Sequence, residues 1–201
     1  MSAAKFIVPI FIVLAVFGTR FLPLAGDSAG LALVANLTPL VALSLCGGAF
    51  FQSKWLVALP LVAFVVSDVA LNAIYGAPLV NAHTFMAFLI LGCLVGLGLW
   101  LRKGNRALPV MLGATIGGVL AFYLVTNTGS FFTNPAYPRS FEGWVQCLTV
   151  GVPGFAPTWT FLLKSLVGNT VFAAIFCYIF NSMGAEEPQL AGAAEESAAA
   201  S

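Results

Sequence analysis

Long apolar blocks separated by short polar segments run through most of this chain. The blocks lie at residues 5–19, 31–51, 55–74, 82–101, 108–125 and 159–181. A helix that crosses the hydrocarbon core of a membrane needs roughly 20 apolar residues, and all but the first block come close to that length. The pattern therefore predicts an all-α integral membrane protein built as a six-helix bundle.

The first block is short enough to resemble a secretory signal peptide. Lys5 precedes an apolar run from Phe6 to Phe17, which is the order of charge and hydrophobicity that such peptides have. No clear A-x-A-like cleavage site follows, and Arg20-Phe-Leu-Pro23 is typical of a helix exit. We interpret the block as a retained first helix.

Residues 144–157 differ from the six blocks. They are too few to cross a membrane alone, and Pro153 and Pro157 interrupt any continuous helix. We predict a re-entrant or interfacial segment on the outer side, before the last helix; if it crossed instead, the C-terminus would lie outside. From residue 184 the Ala- and Glu-rich sequence has little to bury, so we predict a membrane domain at 1–183 and a disordered acidic tail at 184–201.

Composition excludes several classes of protein. Hydrophobic residues make up 60% of the 201 residues and charged residues only 7%, whereas soluble domains carry about 25% charged residues. So few polar side chains cannot cover a globular core. A soluble ATPase, a nucleic-acid-binding module and a secreted disulfide scaffold are therefore excluded as main interpretations, and nucleic acid is not an expected partner because Lys and Arg form no long cluster.

The basic residues indicate an orientation. If the N-terminus is inside, the outer segments carry only Arg20 and Arg139. The cytoplasmic segments then carry Lys5, Lys54, Arg102, Lys103 and Arg106. Because cytoplasmic loops are enriched in Lys and Arg, we predict that both termini are cytoplasmic.

Polar side chains inside the apolar blocks are costly in a membrane and point to function. With this topology, they gather in the outer half of the bundle. They are Asn36 and Thr38 in the second block, Asp68 and Asn72 in the third, His83 in the fourth, Asn127 after the fifth and Lys164 in the sixth. The distribution predicts a pocket that is open to the outside.

Asp68 and Lys164 are predicted at similar depth and carry opposite charges. Either charge alone in hydrocarbon would be expensive, so we expect them to face inward and to interact, directly or through a third group. Arg20 is a competing partner for Asp68. The pair either fixes helix packing as a buried ion pair or contacts a ligand.

The segment 126–143 is the longest predicted outer loop and is rich in aromatic residues. Loops of this length without secondary structure are often lids. Tyr137 and Trp144 are candidate stacking groups over a planar ligand, with Arg139 and Glu142 at the polar rim. The alternative is an interfacial belt of aromatic side chains.

Two Gly-x-x-x-Gly pairs predict close helix packing. Gly92 and Gly96 lie in the fourth block, and Gly113 and Gly117 lie in the fifth. Small residues at this spacing let helix backbones approach each other in membranes. We expect both pairs at contacts within the chain; the alternative is a dimer face.

Catalytic and metal-binding signatures are missing from the sequence. It contains no nucleotide-binding glycine motif, no H-E-x-x-H and no G-x-S-x-G. Its four cysteines form no C-x-x-C pair, and His83 is the only histidine. We expect no cofactor, no metal and no enzymatic activity; the alternative is a membrane enzyme that assembles Asp68, His83 and Lys164 in space.

Several short motifs resemble a family of uncharacterised bacterial membrane proteins described as transport proteins. They are Arg20-Phe-Leu-Pro23, Asn36-Leu-Thr-Pro39, Cys46-Gly-Gly-Ala-Phe50, Pro60 with Ser67-Asp68, Asn127-Thr128, Tyr137-Pro138 with Gly143, and Pro153-Gly-Phe155. In architecture that family resembles the substrate-binding (S) components of energy-coupling-factor vitamin transporters. The resemblance implies a six-helix bundle in the bacterial inner membrane, with a ligand pocket near the outer face. It also implies a separate coupling protein with ATPases.

Together these observations predict a subunit that captures a small, vitamin-like solute from the outside. The candidate substrate-binding residues are Asn36, Asp68, Asn72, Asn127, Tyr137, Arg139, Trp144 and Lys164. The principal alternative is a structural or assembly subunit of the membrane, in which the same region would be closed by packed side chains.

Overall fold

The computed structural model describes residues 4–26 and 37–199 of the chain. Seven α-helices occur in these residues: α1 (Ala4–Phe21), α2 (Leu40–Phe50), α3 (Lys54–Ile74), α4 (Ala82–Arg102), α5 (Leu108–Thr133), α6 (Phe141–Leu148) and α7 (Thr158–Ala199). A 3₁₀ turn, Leu22–Ala25, follows α1. No strand is present in this part of the chain, so the all-α prediction is confirmed.

Four helices in the described part are long and apolar enough to cross a membrane. They are α3, α4, α5 and the segment Thr158–Asn181 of α7, and they correspond to the last four predicted spans. Two shorter apolar helices, Ile10–Phe21 and Leu40–Phe50, overlap the first two predicted spans. Residues 31–36 of the second predicted span lie outside the described residues. The helix α7 runs through residue 183, where composition predicts the end of the membrane domain; that boundary stays a prediction.

The short helix α2 occupies the centre of the bundle. All of its residues are buried, and it packs against α3, α4, α5 and α7. A helix that is apolar on every side is buried, either among other helices or as a span in lipid. Because α2 is too short to span alone, its place is in the core, among the other helices.

The crossing of α2 and α4 depends on two glycines. A Cβ atom added to Gly48 would lie 2.4 Å from the carbonyl oxygen of Val95, and one added to Gly98 would lie 2.1 Å from that of Leu45. The predicted contacts at the two Gly-x-x-x-Gly pairs are wrong. A Cβ on Gly92, Gly96, Gly113 or Gly117 would meet no described atom within 4 Å.

The C-terminal end of α2 is held by Arg102 of α4. Its Nε donates to the carbonyl oxygen of Gly48 at 2.9 Å, and its Nη2 donates to that of Phe51. A cation is favourable at a helix C-terminus because the terminal carbonyls lack partners there. The guanidinium of Arg106 lies 5.5 Å above the ring of Phe50. We call this region, with Arg102 and Arg106, the basic end of the bundle.

The prediction of a long loop at 126–143 is wrong. Helix α5 continues to Thr133, and α6 begins at Phe141, so only residues 134–140 are irregular. The polar side chains of this stretch are satisfied within the helix. The hydroxyls of Thr126, Ser130 and Thr133 each donate to a carbonyl one turn earlier, at 2.7–3.1 Å, a bond that lets hydroxyl residues remain helical.

Candidate functional site

Asp68 joins three helices near one end of the bundle. This buried carboxylate on α3 accepts from Nη2 of Arg20 on α1 at 2.5 Å through Oδ1. Its Oδ2 accepts from the hydroxyl of Thr84 on α4 at 2.6 Å and from Nδ2 of Asn72 at 3.3 Å. Thr84 is placed for this by a capping box with Asn81 at the start of α4. We call this region, with Arg20, Asp68 and Thr84, the polar end.

The cation paired with Asp68 is therefore Arg20, the residue considered as the competing partner. Lys164 lies half-buried on α7, between Phe161 and Ser165. Both of these neighbours line the cavity described below, and Lys164 does not.

The guanidinium of Arg20 is held from two directions. Besides its bond to Asp68, its Cζ lies 5.1 Å from the centre of the Phe64 ring, within the range of a cation–π contact. Its Nε is buried and has no hydrogen-bond partner among the described residues. The side chain is 16% exposed, so the charge is largely removed from water but its donors are only partly used.

A cavity of about 330 Å³ lies beside Arg20 at the polar end. Helices α1, α3, α4, α5 and α7 and the residues around the start of α2 form its walls. The polar lining residues are Arg20, Thr38, His83, Tyr123, Thr126, Asn127, Ser130, Thr158, Ser165 and Asn169. The apolar ones are Leu40, Val41, Phe64, Val119, Phe122 and Phe161. The volume and the mixed lining are typical of sites for small molecules.

Asn169 on α7 connects this cavity to the start of α2. Its Oδ1 accepts from the backbone N–H of Ala42 at 2.9 Å, one of the first amides of α2, which have no partner within their own helix. Its Nδ2 donates to the carbonyl oxygen and hydroxyl of Ser165 at 2.8 and 3.1 Å, and to the carbonyl oxygen of Thr38 at 3.3 Å. Because Pro39 provides no side-chain cap, Asn169 caps α2 from a neighbouring helix.

The predicted site residues do not all lie at the cavity. Asn127 lines the cavity, and its Nδ2 donates to the carbonyl oxygen of Tyr123 at 2.8 Å. Asp68 and Asn72 lie behind Arg20 and do not line the cavity. Asn36 lies outside the described residues.

Three other predicted residues, Tyr137, Arg139 and Trp144, lie around α6. Tyr137 is buried against Phe131 and Cys147, and Nε1 of Trp144 donates to the hydroxyl of Thr128 on α5 at 3.0 Å. The guanidinium of Arg139 lies 5.5 Å from the ring of Phe131. These contacts attach α6 to α5. Arg139 and Trp144 line a separate groove on the outside of these two helices, and none of the three predicted residues lines the cavity.

Burial changes the ionisation of two groups at α6. It raises the pKa of Tyr137 to about 12, with a further contribution from a hydrogen bond with Cys147. Burial also raises the pKa of the Cys147 thiol. Both groups are therefore neutral at physiological pH, as expected of side chains that pack α6 against α5.

Comparison with known proteins gives a family. Residues 1–190 match the family of unknown function DUF6580. The chain belongs to this family. No curated protein and no solved structure matches it. The prediction of an uncharacterised family is confirmed, whereas DUF6580 membership carries no substrate and no partner, so the site is interpreted from its geometry alone.

Three contributors to this DUF6580 site were missed or undervalued by sequence reasoning. Asn169 was overlooked, although an amide in the middle of an apolar block is a signal of its own. Arg20 was considered only as a partner of Asp68, and Ser130 was assigned to a loop. The role of each residue depends on which face of its helix is turned toward the cavity. The position of a residue along the chain indicates its depth in the membrane but not that face.

The cavity lining combines polar and aromatic groups. Hydroxyl, amide and guanidinium groups share the cavity with aromatic side chains. Within residues 4–26 and 37–199, no group of three or more His, Cys, Asp or Glu side chains could hold a metal ion. Asp68 is bonded to Arg20, Asn72 and Thr84, an arrangement that fixes the carboxylate in place.

Proposed function

We propose that this protein captures a small, vitamin-like, water-soluble molecule from the outside of the bacterial inner membrane, for uptake. It acts as a substrate-binding subunit and has no ATPase of its own. The observation that carries the proposal is the 330 Å³ cavity at the polar end. An assembly subunit with packed helices has no need of such a space, whereas small-molecule sites usually occupy about 300–1,000 Å³.

The basic end of the bundle supports capture from one side. Aromatic rings fill the core there: Phe51 lies 5.7 Å from Phe176, Phe50 lies 5.4 Å from Phe180, and Phe176 lies 5.2 Å from Phe180, measured between ring centres. Arg102 ties the end of α2 to α4 beside them. A solute in the cavity therefore meets packed side chains in that direction, which favours a receptor over an open channel.

The basic residues support the proposed orientation. Arg102, Lys103 and Arg106 at the basic end favour the cytoplasmic side, and with that side inside, the polar end and its cavity would face outside. Release inward would then need a rearrangement driven by another protein. The sequence contains no phosphate-binding glycine loop, so a coupling protein with ATPases, as in the S-component resemblance, is the proposed partner.

The proposal can be tested on the purified protein with a matched pair of variants. Ser130 and Thr133 lie one turn apart on α5, and the hydroxyl of each bonds to a carbonyl one turn earlier. Only Ser130 lines the cavity. Ser130→Phe should fill the cavity, whereas Thr133→Phe adds the same ring elsewhere.

Native mass spectrometry of gently extracted protein supplies the measurement. We expect a co-purified small molecule on the wild type and on Thr133→Phe, and its loss from Ser130→Phe at unchanged helix content. Protein that carries no small molecule in any form, even after incubation with a concentrated cell extract, would contradict the proposal and favour an assembly subunit.

A further inference from the structure

The charges around the cavity are one-sided. Among its described lining residues, Arg20 carries a permanent charge, and none is Asp or Glu. Two other lining groups are titratable. His83 is ordinarily neutral or cationic, and Tyr123 is ordinarily neutral. A bound solute therefore meets a cation and neutral polar groups.

Asp68 does not compete for the space inside the cavity. It is 6% exposed, and both of its oxygens are occupied, Oδ1 by Arg20 and Oδ2 by Thr84 and Asn72. The carboxylate stabilises the cation from behind while it stays out of the lining. The ion pair thus holds Arg20 in position at the wall.

Arg20 retains capacity to bind. A guanidinium has five N–H donors, of which one on Nη2 is bonded to Asp68, and the buried Nε has no partner among the residues that the structure describes. Buried donors without acceptors are uncommon in folded proteins. An acceptor supplied by a solute would use this capacity, and a planar carboxylate matches a guanidinium best.

The rest of the lining describes the body of the solute. Phe64, Phe122 and Phe161 line the cavity together with aliphatic side chains. Phe64 also supports the guanidinium from below, so the cationic and aromatic surfaces adjoin. Such a cavity suits a molecule with an apolar or aromatic body and one anionic end.

From these observations we infer that the solute is a small carboxylate with an aromatic or apolar body, whose anionic group pairs with Arg20. This inference rests on the proposed function and names its substrate class. Asp68 is not a ligand in this inference: it stays outside the lining and, as the anion paired with Arg20, competes with the solute for that charge.

Matched acids and amides test the inference. Benzoate and 2-naphthoate are compared with benzamide and 2-naphthamide, which have nearly the same shape and no charge, by isothermal titration of the full-length protein in detergent. We expect the acids to bind at least about tenfold more tightly than their amides, as expected for a charge-assisted hydrogen bond.

Variants on the two sides of the ion pair should act in opposite directions. Arg20→Gln should abolish the preference for acids, whereas Asp68→Asn, which keeps groups that can bond to Thr84 and Asn72, should keep or increase it because Arg20 loses its competing anion. Arg139→Gln, which removes an exposed arginine outside the cavity, is the control and should bind like the wild type. The Asp68→Asn arm keeps the test decisive if Arg20→Gln fails to fold.

Equal binding of acids and amides by the wild type would overturn the charge assignment and leave the solute-capture proposal standing. A preference for acids that survives in Arg20→Gln, or that is lost in Asp68→Asn, would also overturn it. If neither acids nor amides bind while native mass spectrometry still finds a co-purified molecule, the substrate class is wrong and the proposed function is not. If the acids and amides do not bind and no co-purified molecule is found, the substrate class and the proposed function are both contradicted.

Discussion

Replacing Gly98 by alanine tests how the central helix is packed. The new Cβ atom would lie 2.1 Å from the carbonyl oxygen of Leu45 and 3.0 Å from the Cα of Gly48. Ordinary contacts of a Cβ begin at 3.4 Å, so α2 and α4 would have to separate by about 1.3 Å there, the difference between 3.4 and 2.1 Å. Both partners are backbone atoms, so no side-chain rotation relieves the contact.

The expected loss of stability is large for a single methyl group. Overpacking a core costs about 1–3 kcal/mol, and a backbone contact belongs at the upper end of that range. A gain in helix propensity of up to about 1 kcal/mol on replacing glycine by alanine offsets part of this. The net loss is roughly 2 kcal/mol, which for a chain of this size lowers Tm by about 4–8 °C.

The matched control lies two residues away on the same helix. A Cβ at Gly96 would meet no described atom within 4 Å, so Gly96→Ala should be neutral or slightly stabilising. Thermal unfolding in detergent, followed by circular dichroism, compares both variants with the wild type. If Gly96→Ala lowers Tm as much as Gly98→Ala, the helix register described here is wrong, and the Gly-x-x-x-Gly prediction is correct after all.

Three further changes probe the polar contacts. Asn169→Ala leaves the amide of Ala42 without its acceptor and should cost about 1–3 kcal/mol, measured as a lower Tm; an unchanged Tm would contradict the capping role. Thr84→Val removes a donor from Asp68 and should cost a similar amount, and this loss should largely disappear when Asp68 has already been replaced by alanine. Finally, the pKa of Tyr137 is raised to about 12 from an ordinary value of 10.0. The folded protein therefore keeps a proton that the unfolded chain loses, so this contribution to stability is complete below pH 10 and is lost as pH rises towards 12. The ultraviolet titration curve of Tyr137→Phe is subtracted from that of the wild type. The difference should show tyrosinate forming near pH 12, and formation near pH 10 would refute the burial argument.

The long helices were predictable because lipid imposes a simple condition on sequence. Residues 55–74 and 82–101 were expected to be helical, and the corresponding helices begin and end within a few residues of these limits. Helix α7 begins at Thr158, next to the expected residue 159, but continues to Ala199, and α5 ends at Thr133 rather than at residue 125. The length of an apolar run predicts where a span lies. It does not predict that a helix continues through hydroxyl residues whose side chains bond to carbonyls of the same helix, as in α5.

The core contacts were less predictable because they depend on rotation about the helix axis. Gly92 and Gly96 have the spacing of a packing motif, but the glycine that touches another backbone on α4 is Gly98. Its partner, Gly48, belongs to a helix that is apolar on all sides. Such a helix shows no preferred face in its sequence, so no pattern identifies the side that meets α4.

The candidate site was predictable in part: the depth of its residues could be predicted from the sequence, and the direction in which each side chain faces could not. Depth along the chain predicted that polar residues gather at one end, and of that predicted set Thr38, His83 and Asn127 line one cavity, next to the pair of Arg20 and Asp68. Depth could not separate residues that satisfy one another from residues that face the cavity. Both oxygens of Asp68 are bonded to neighbouring side chains, whereas the Nε of Arg20, on the other side of the same ion pair, has no partner among the described residues. The proposed solute site rests on this imbalance: the bonds of Asp68 are all internal, while Arg20 lies at the wall of a cavity with a donor to which an acceptor could bind.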